Sequence, residues 1–280
     1  MRRLLVHAFE KVPFYQEGFQ KLGISRSDLD EWTIAKMKYL PVLEKEDLRK
    51  FGETSLMAED RRRGNFYSSS GSTGTPTKIF YSTRFHQIWS AAFEVRIREW
   101  AGVDRATPRG TIGGRRVVKA GDAKGPFYRY NIAEKQTYFS AYHIGPRTVE
   151  DYLRGMTKGK VEYMTGYAMA NYFLAKEIEK AGLRAPKMRA VITSSEKLTQ
   201  KMRDTFRRVY GCATYDSYSG VEACGLISET PDGFLVNSPD VGILEAIDSA
   251  GQQVNVGESG EVISTGLLNF DQPLIRYRIG

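Results

Sequence analysis

Cysteine is scarce in this sequence: Cys212 and Cys224 are the only two in 280 residues. A disulfide framework is therefore excluded as the basis of the fold, and a reducing, cytoplasmic setting is expected. Long apolar runs are missing as well, so no segment reads as a bilayer span. The apolar stretch at the N-terminus is broken by His7 and Glu10 and is too short for a signal peptide. Basic residues outnumber acidic ones, 41 Lys and Arg against 33 Asp and Glu, yet they form only short runs such as Arg61-Arg62-Arg63 and Arg115-Arg116. Nucleic acid is not an expected partner, because binding arms concentrate their charge. Two familiar nucleotide-binding patterns are absent, Gly-x-x-x-x-Gly-Lys-Ser/Thr and Gly-x-Gly-x-x-Gly. Neither an internal repeat nor a low-complexity tract occurs.

What is present is material for a core. Hydrophobic residues make up 41% of the chain, with 16 Tyr and 14 Phe, enough for one large core or two smaller ones. The net charge of +8 suits a cleft that receives an anion. Leu4, Leu5, Ala8, Phe9 and Val12 mark one helical face within residues 1–22, interrupted at Pro13. A strong helix is expected from about Arg84 to Ala101, stopped by Gly102. Residues 103–147 carry no clear period. Thr148 is expected to cap a short helix with Asp151 as its box partner. A strand over 161–165 and a helix over 168–181 follow. Then a strand at 188–193, a helix capped by Thr199 and ended by Gly211, and a strand at 213–218 predict a parallel pair with a right-handed crossover. Beyond Glu222, short strands are expected at 234–236, 241–247, 253–256, 261–265 and 274–278.

Two segments can carry chemistry. Ser68-Ser69-Ser70-Gly71-Ser72-Thr73-Gly74-Thr75-Pro76-Thr77 crowds hydroxyls and two glycines into one window. Glycines let backbone approach a ligand, and successive N–H groups form a nest for an anion. The same composition suits a flexible linker. The strand expected at Ile79-Phe80-Tyr81, and Pro76 stiffening the exit, favour a phosphate loop. The second segment is Tyr215-Asp216-Ser217-Tyr218-Ser219-Gly220-Val221-Glu222, placed where a parallel strand should end. Open α/β sheets bind ligands at the carboxyl ends of their strands. There Tyr218 can stack on a purine, Asp216 can accept from an exocyclic amine, and Glu222 can hold a hydrated Mg2+. A strand-end turn with a solvated Glu is the other reading.

In this order the segments resemble the adenylate-forming superfamily of acyl-CoA synthetases, luciferases and peptide-synthetase adenylation domains. The nearest likeness is to the phenylacetate–CoA ligase branch and the capsule-biosynthesis proteins classed with it. Residues Ser69 to Thr77 look like that family's phosphate loop, with Thr77 the form typical of the branch. Ser194-Ser195-Glu196-Lys197-Leu198 looks like its nucleotide-contacting turn. Tyr218 to Glu222 looks like Tyr-Gly-x-Ser/Thr-Glu, Gly260-Glu261-Val262 like Gly-Glu-Leu, and Tyr277-Arg278-Ile279-Gly280 like Tyr-Arg-Thr-Gly-Asp. Val12-Pro13-Phe14-Tyr15 and residues 40–48 also match the branch. Ser219 stands for the usual Gly, and Val221 for the usual Ser or Thr, whose hydroxyl is lost.

The resemblance implies an α/β fold: parallel sheets flanked by helices plus a small β-rich subdomain, the large body of such an enzyme without its C-terminal lid. The AMP-binding body is expected over 1–222, with the phosphate loop at 67–78, and the β-rich subdomain over 223–280. It implies ATP-dependent activation of a carboxylic acid to an acyl-adenylate, with ATP, Mg2+ and coenzyme A as cofactors. Ser69, Ser70, Gly71, Ser72, Thr73, Gly74 and Thr77 are expected on the phosphates, and Ser195, Glu196, Asp216, Ser217 and Tyr218 on the nucleotide. Thr73, Lys78 and Glu222 are the expected catalytic groups, with Glu222 also the metal ligand. Tyr142, His143, Gly166 and Tyr167 are expected around the acid, where aromatic residues would suit an aryl substrate. Transfer to a carrier protein or a sugar amine is an alternative, as is a non-catalytic scaffold; oligomerisation is left open. His7 and His86 read as structural, and Cys224 lacks companions for a zinc site.

Overall fold

The computed structural model describes residues 1–69, 76–119, 121 and 124–279. The expected phosphate-binding residues Ser70, Gly71, Ser72, Thr73 and Gly74 lie outside the described residues. The chain divides into two compact units: residues 1–92, 219–226 and 237–280 form unit 1, and residues 93–218 with 227–236 form unit 2. The C-terminal strands share a core with the N-terminal helices.

Unit 1 opens with helices α1 (Arg2–Lys11) and α2 (Pro13–Lys21). Pro13 does not merely interrupt a helix but begins one: it sits at the first position, where its missing N–H has no partner to lose. Helix α3 (Arg26–Asp30) starts with a complete capping box between Ser25 and Asp28, and α4 (Lys45–Phe51) with one between Glu44 and Asp47. Strands β1 (Gly64–Ser68) and β2 (Lys78–Ser82) pair antiparallel, Gly64 opposite Ser82 and Ser68 opposite Lys78. The first residues of the expected 67–78 loop, Tyr67 and Ser68, therefore belong to a strand. Every residue of β1 is exposed, so no alternation in the sequence marks it. Helix α5 (Thr83–Phe93) runs into a wider π turn over Glu94–Arg98.

Unit 2 is built on one sheet. Its strands are β3 (Arg109–Gly113), β4 (Tyr128–Asn131), β5 (Gln136–Ser140), β6 (Tyr163–Tyr167), β7 (Ala190–Ser194), β8 (Ala213–Tyr218), β9 (Ile227–Glu229) and β10 (Leu235–Asn237). Their spatial order is β10-β9-β8-β7-β6-β3-β5-β4. The five central strands, from β8 to β5, are parallel, with β9 and β4 antiparallel beside them. Helices α6 (Val149–Lys158), α7 (Ala168–Lys180) and α8 (Gln200–Tyr210) supply the apolar faces that cover it. Met156, Leu174, Ile178, Met202 and Phe206 pack with Ile112, Phe139, Met164 and Val191 of the strands. Thr148 does not cap α6. Its hydroxyl donates to the carbonyls of His143 and Gly145, and the Asp151 carboxylate accepts from Phe127 N and Arg154 instead.

Unit 1 closes with an antiparallel sheet of β11 (Gly242–Ile247), β12 (Glu261–Gly266) and β13 (Tyr277–Arg278). Residues 253–256 form no strand; Gln253 makes a single bridge to Ile247. The strand expected over 274–278 shrinks to two residues, because the chain before it is held by side chains. Tyr15 Oη donates to Pro273 O and accepts from Ile275 N, both at 3.0 Å. Leu43 lies parallel to Tyr277, so the Leu40–Leu43 segment meets the one that begins at Tyr277. Leu274, Ile275 and Tyr277 are buried with Leu4, Leu5, Val12 and Phe19 in one core.

Candidate functional site

In unit 1 the site elements are the base of the β1–β2 hairpin and the turn at 220–223. Ser69 N donates to Thr77 O at 3.0 Å, and Ser69 Oγ accepts from Thr77 N at 3.0 Å and from its hydroxyl at 3.2 Å. Thr77 is buried, so the two hydroxyls fasten the base of the loop. Lys78 pairs with Glu53 at 2.8 Å on a half-exposed surface. Strand β2 is gripped from the other end of the chain. Phe80 N donates to Gln272 Oε1 at 2.8 Å, and Asn269 Nδ2 donates to Phe80 O at 3.0 Å. Ser82 Oγ donates to Asp271 Oδ2 at 2.6 Å, and Arg62 N to its other oxygen at 2.8 Å. Sequence reasoning missed Asn269, Asp271 and Gln272. The available signal was a polar run set inside Leu267-Leu268 and Leu274-Ile275.

The Glu222 carboxylate is half-buried and accepts from the Tyr277 phenol at 3.3 Å. Tyr81 Oη donates to Val221 O at 2.7 Å, which fixes the backbone just before it. Burial, and then the nearby Glu222 charge, raise both phenols above the ordinary tyrosine range. Cys224 is buried and its thiol is pushed up to about 12, by burial first. At Gly220 a Cβ would overlap Glu222 Oε2. Val221, in place of a hydroxyl residue, packs on the core of unit 1. Among the described residues no three His, Cys, Asp or Glu side chains stand together as a metal cage.

In unit 2 the expected residues gather at the carboxyl ends of the parallel strands. The register sets Gly166, Thr193 and Asp216 side by side, and Tyr167, Ser194 and Ser217 one step further on. Ser195 follows with φ of +67°, a left-handed turn that ends β7 sharply. Asp216 Oδ1 accepts from Ser217 N at 2.9 Å and Thr193 Oγ1 at 3.3 Å. Partial burial raises its carboxyl above the usual range, against the pull of those donors and Arg203. Asp216 N donates to Glu229 Oε2 at 2.8 Å, and Glu229 also takes Arg203 Nη2 at 2.7 Å. This pair pins the end of β8.

Several expected residues are already engaged within the fold. Ser217 Oγ donates to Thr193 O at 3.0 Å and is buried. Glu196 Oε2 accepts from Met169 N at 2.7 Å, supplying an anion to the start of α7, whose first turn has no acid. His143 accepts or donates at Ser140 Oγ, 2.7 Å away, and stacks on Phe127 at 4.8 Å. Tyr142 and Tyr218 stay largely exposed. Tyr142 Oη reaches Gly114 O at 3.5 Å, and a Cβ on Gly114 would meet the Tyr167 hydroxyl. Tyr142, Gly114 and Tyr167 follow or end β5, β3 and β6 respectively. The chain passes from β5 over β3 to β6, so these residues surround the point where the strand order reverses, the usual crevice of an open α/β sheet.

Unit 2 is thus a largely parallel sheet with polar side chains at this crevice, of the kind that binds ligands in open α/β folds. The chain is 28% identical over 272 residues to Protein CapK of Staphylococcus aureus, covering 95% of this chain and 57% of that protein. It is 27% identical to a phenylacetate-coenzyme A ligase of Pseudomonas putida, covering 99% of this chain and 63% of the relative. A crystal structure of 2-hydroxyisobutyryl-CoA ligase, in an open conformation with 2-HIB-AMP and CoA, matches all of this chain and 66% of its own at a TM-score of 0.72 and 18% identity. No family model matches. The chain is thus similar in sequence to CapK and to phenylacetate-coenzyme A ligases, and it shares its fold with part of 2-hydroxyisobutyryl-CoA ligase. The chain spans about three-fifths of the length of the curated relatives it matches.

Proposed function

We propose that this chain is the nucleotide- and acid-binding body of an enzyme that joins a carboxylic acid to AMP from ATP and passes the acyl group to the thiol of coenzyme A. The observation that carries the reading is the register at the crevice of unit 2, where Gly166, Thr193 and Asp216 lie side by side and Tyr167, Ser194 and Ser217 lie one step further on. Phenylacetate-coenzyme A ligases and a CoA ligase solved with an acyl-AMP stand among the relatives, which supports the same chemistry.

The acid's carboxylate attacks the α-phosphorus and pyrophosphate leaves, so two anions must be brought together. Positioning and charge neutralisation carry such a step. In unit 1, Ser69 and Thr77 hold the base of the loop assigned to the phosphates, Ser70, Gly71, Ser72, Thr73 and Gly74, with Lys78 next to it. In unit 2, Asp216 and Tyr218 are assigned to the purine, with Ser195, Glu196 and Ser217 shaping the strand ends around it. Tyr142, His143, Gly166 and Tyr167 are assigned to the acid. Glu222 fits Mg2+: a half-buried carboxylate that accepts from Tyr277 among the described residues suits a cation that keeps most of its water. When bound, Mg2+ would neutralise charge on the phosphates. A reducing cytoplasm suits the two unpaired, buried thiols. Among the described residues no helix is long and apolar enough to cross a membrane.

The test is acid-dependent exchange of labelled pyrophosphate into ATP across a panel of aryl and aliphatic acids, alongside direct ATP binding. Glu222→Gln should abolish Mg2+-dependent exchange. A protein that binds no ATP would overturn the assignment; one that binds ATP but exchanges with no acid would favour a nucleotide-binding scaffold.

A further inference from the structure

The turn that carries Glu222 is held from two sides by phenols. Tyr81 Oη fixes the backbone at Val221 O, 2.7 Å away, and Tyr277 Oη donates to Glu222 Oε1 at 3.3 Å. Tyr277 is fully buried, and its strand is locked by Leu43 N donating to Arg276 O and Arg278 N donating to Leu43 O, both at 3.0 Å. Its hydroxyl therefore has a fixed position. The other carboxylate oxygen, Oε2, lies in the space that a Cβ on Gly220 would fill. One oxygen is thus tethered, and a Cβ at residue 220 would force the other, at the free end of the side chain, to move aside.

From this geometry we infer that Tyr277 and Gly220 set the orientation of the Glu222 carboxylate, and so tune how well this chain holds Mg2+. The inference rests on the proposed role of Glu222. Tyr277 is a positioning residue: it acts through Glu222, as the outer partners of metal ligands commonly do. Tyr277→Phe keeps the ring in the core and removes only the tether. Gly220→Ala leaves the tether and crowds Oε2, and is the second route if the buried phenylalanine variant folds poorly.

The readouts are Mn2+ binding followed by electron paramagnetic resonance with ATP present, and ATP affinity by calorimetry with and without Mg2+. Tyr277→Phe and Gly220→Ala should each weaken Mn2+ binding roughly tenfold. Metal-free ATP affinity and the thermal midpoint should stay near those of the parent. Tyr81→Phe, whose hydroxyl touches only backbone at this turn, should move Mn2+ binding less than either. If Glu222→Gln itself leaves Mn2+ binding unchanged, the proposed role of Glu222 fails. If Glu222→Gln weakens it but both positioning variants bind as the parent does, the reading of the site stands and the positioning role is overturned.

Discussion

At the scale of single residues, Arg276 shows how fully a buried charge can be engaged. It is buried, has φ of +50°, and its Nε donates to Glu245 Oε2 at 3.0 Å while its Nη1 donates to the carbonyls of Lys38 and Leu40. Removing one partner of a buried pair strands the other charge, a loss of about 3–5 kcal/mol. Arg276→Ala should lower stability by that amount in urea unfolding; a change below about 1 kcal/mol would show that water replaces the guanidinium freely. The sequence reading put residues 215–222 where a parallel strand should end; Asp216 lies in β8 and Glu222 in the turn beyond it. That reading did not foresee that Glu196 and Ser217 would be spent on Met169 N and Thr193 O. Side-chain partners far apart in sequence leave no periodic trace, so such engagements are legible only in three dimensions.

At the scale of elements, legibility followed burial pattern. Helices α1, α7 and α8 and strands β7 and β8 were readable because their apolar residues repeat at helical spacing or run together between clear stops. Strand β3, Arg-Gly-Thr-Ile-Gly, has no such pattern, since parallel neighbours β5 and β6 on either side define it. Strand β1 is wholly exposed and exists through its pairing with β2. The same neighbours explain a strict requirement at the end of β6. Gly166 has φ of +119°, and a Cβ there would overlap the carbonyl of Ile112 on β3. Gly166→Ala should cost about 3 kcal/mol through strain and displaced strand pairing. Gly145→Ala, where a Cβ meets nothing within 4 Å, should stay within about 0.5 kcal/mol. Equal effects in chemical denaturation would sink the argument.

At the scale of the whole molecule, two properties follow from burial and from nesting. Burial raises the phenols of Tyr15, Tyr81, Tyr152, Tyr163, Tyr210 and Tyr277, and pushes the thiols of Cys212 and Cys224 to about 12. The unfolded chain gives up these protons first. Above the ordinary thiol range of about 8.5 the native state holds more protons than the unfolded one, so stability falls as pH rises. Urea midpoints should decline steadily from there toward pH 12; a flat profile would contradict the buried placement of these groups. Nesting makes a second prediction. Unit 1 draws on residues 1–92, 219–226 and 237–280, so a fragment of residues 1–222 lacks Leu274, Ile275 and Tyr277 from its core. That fragment should lose amide protection in α1 and α2 during hydrogen exchange while keeping it in β6 to β8.

The tie between Leu43 and Tyr277 also bears on the order of events during synthesis. The first helices leave the ribosome early, yet the strand that completes their core is made more than two hundred residues later. Meanwhile residues 93–218 hold all five parallel strands and the three helices that cover them. A nascent chain should therefore consolidate its middle first and its beginning last, with the N-terminal segment exposed to chaperones and proteases in the interval.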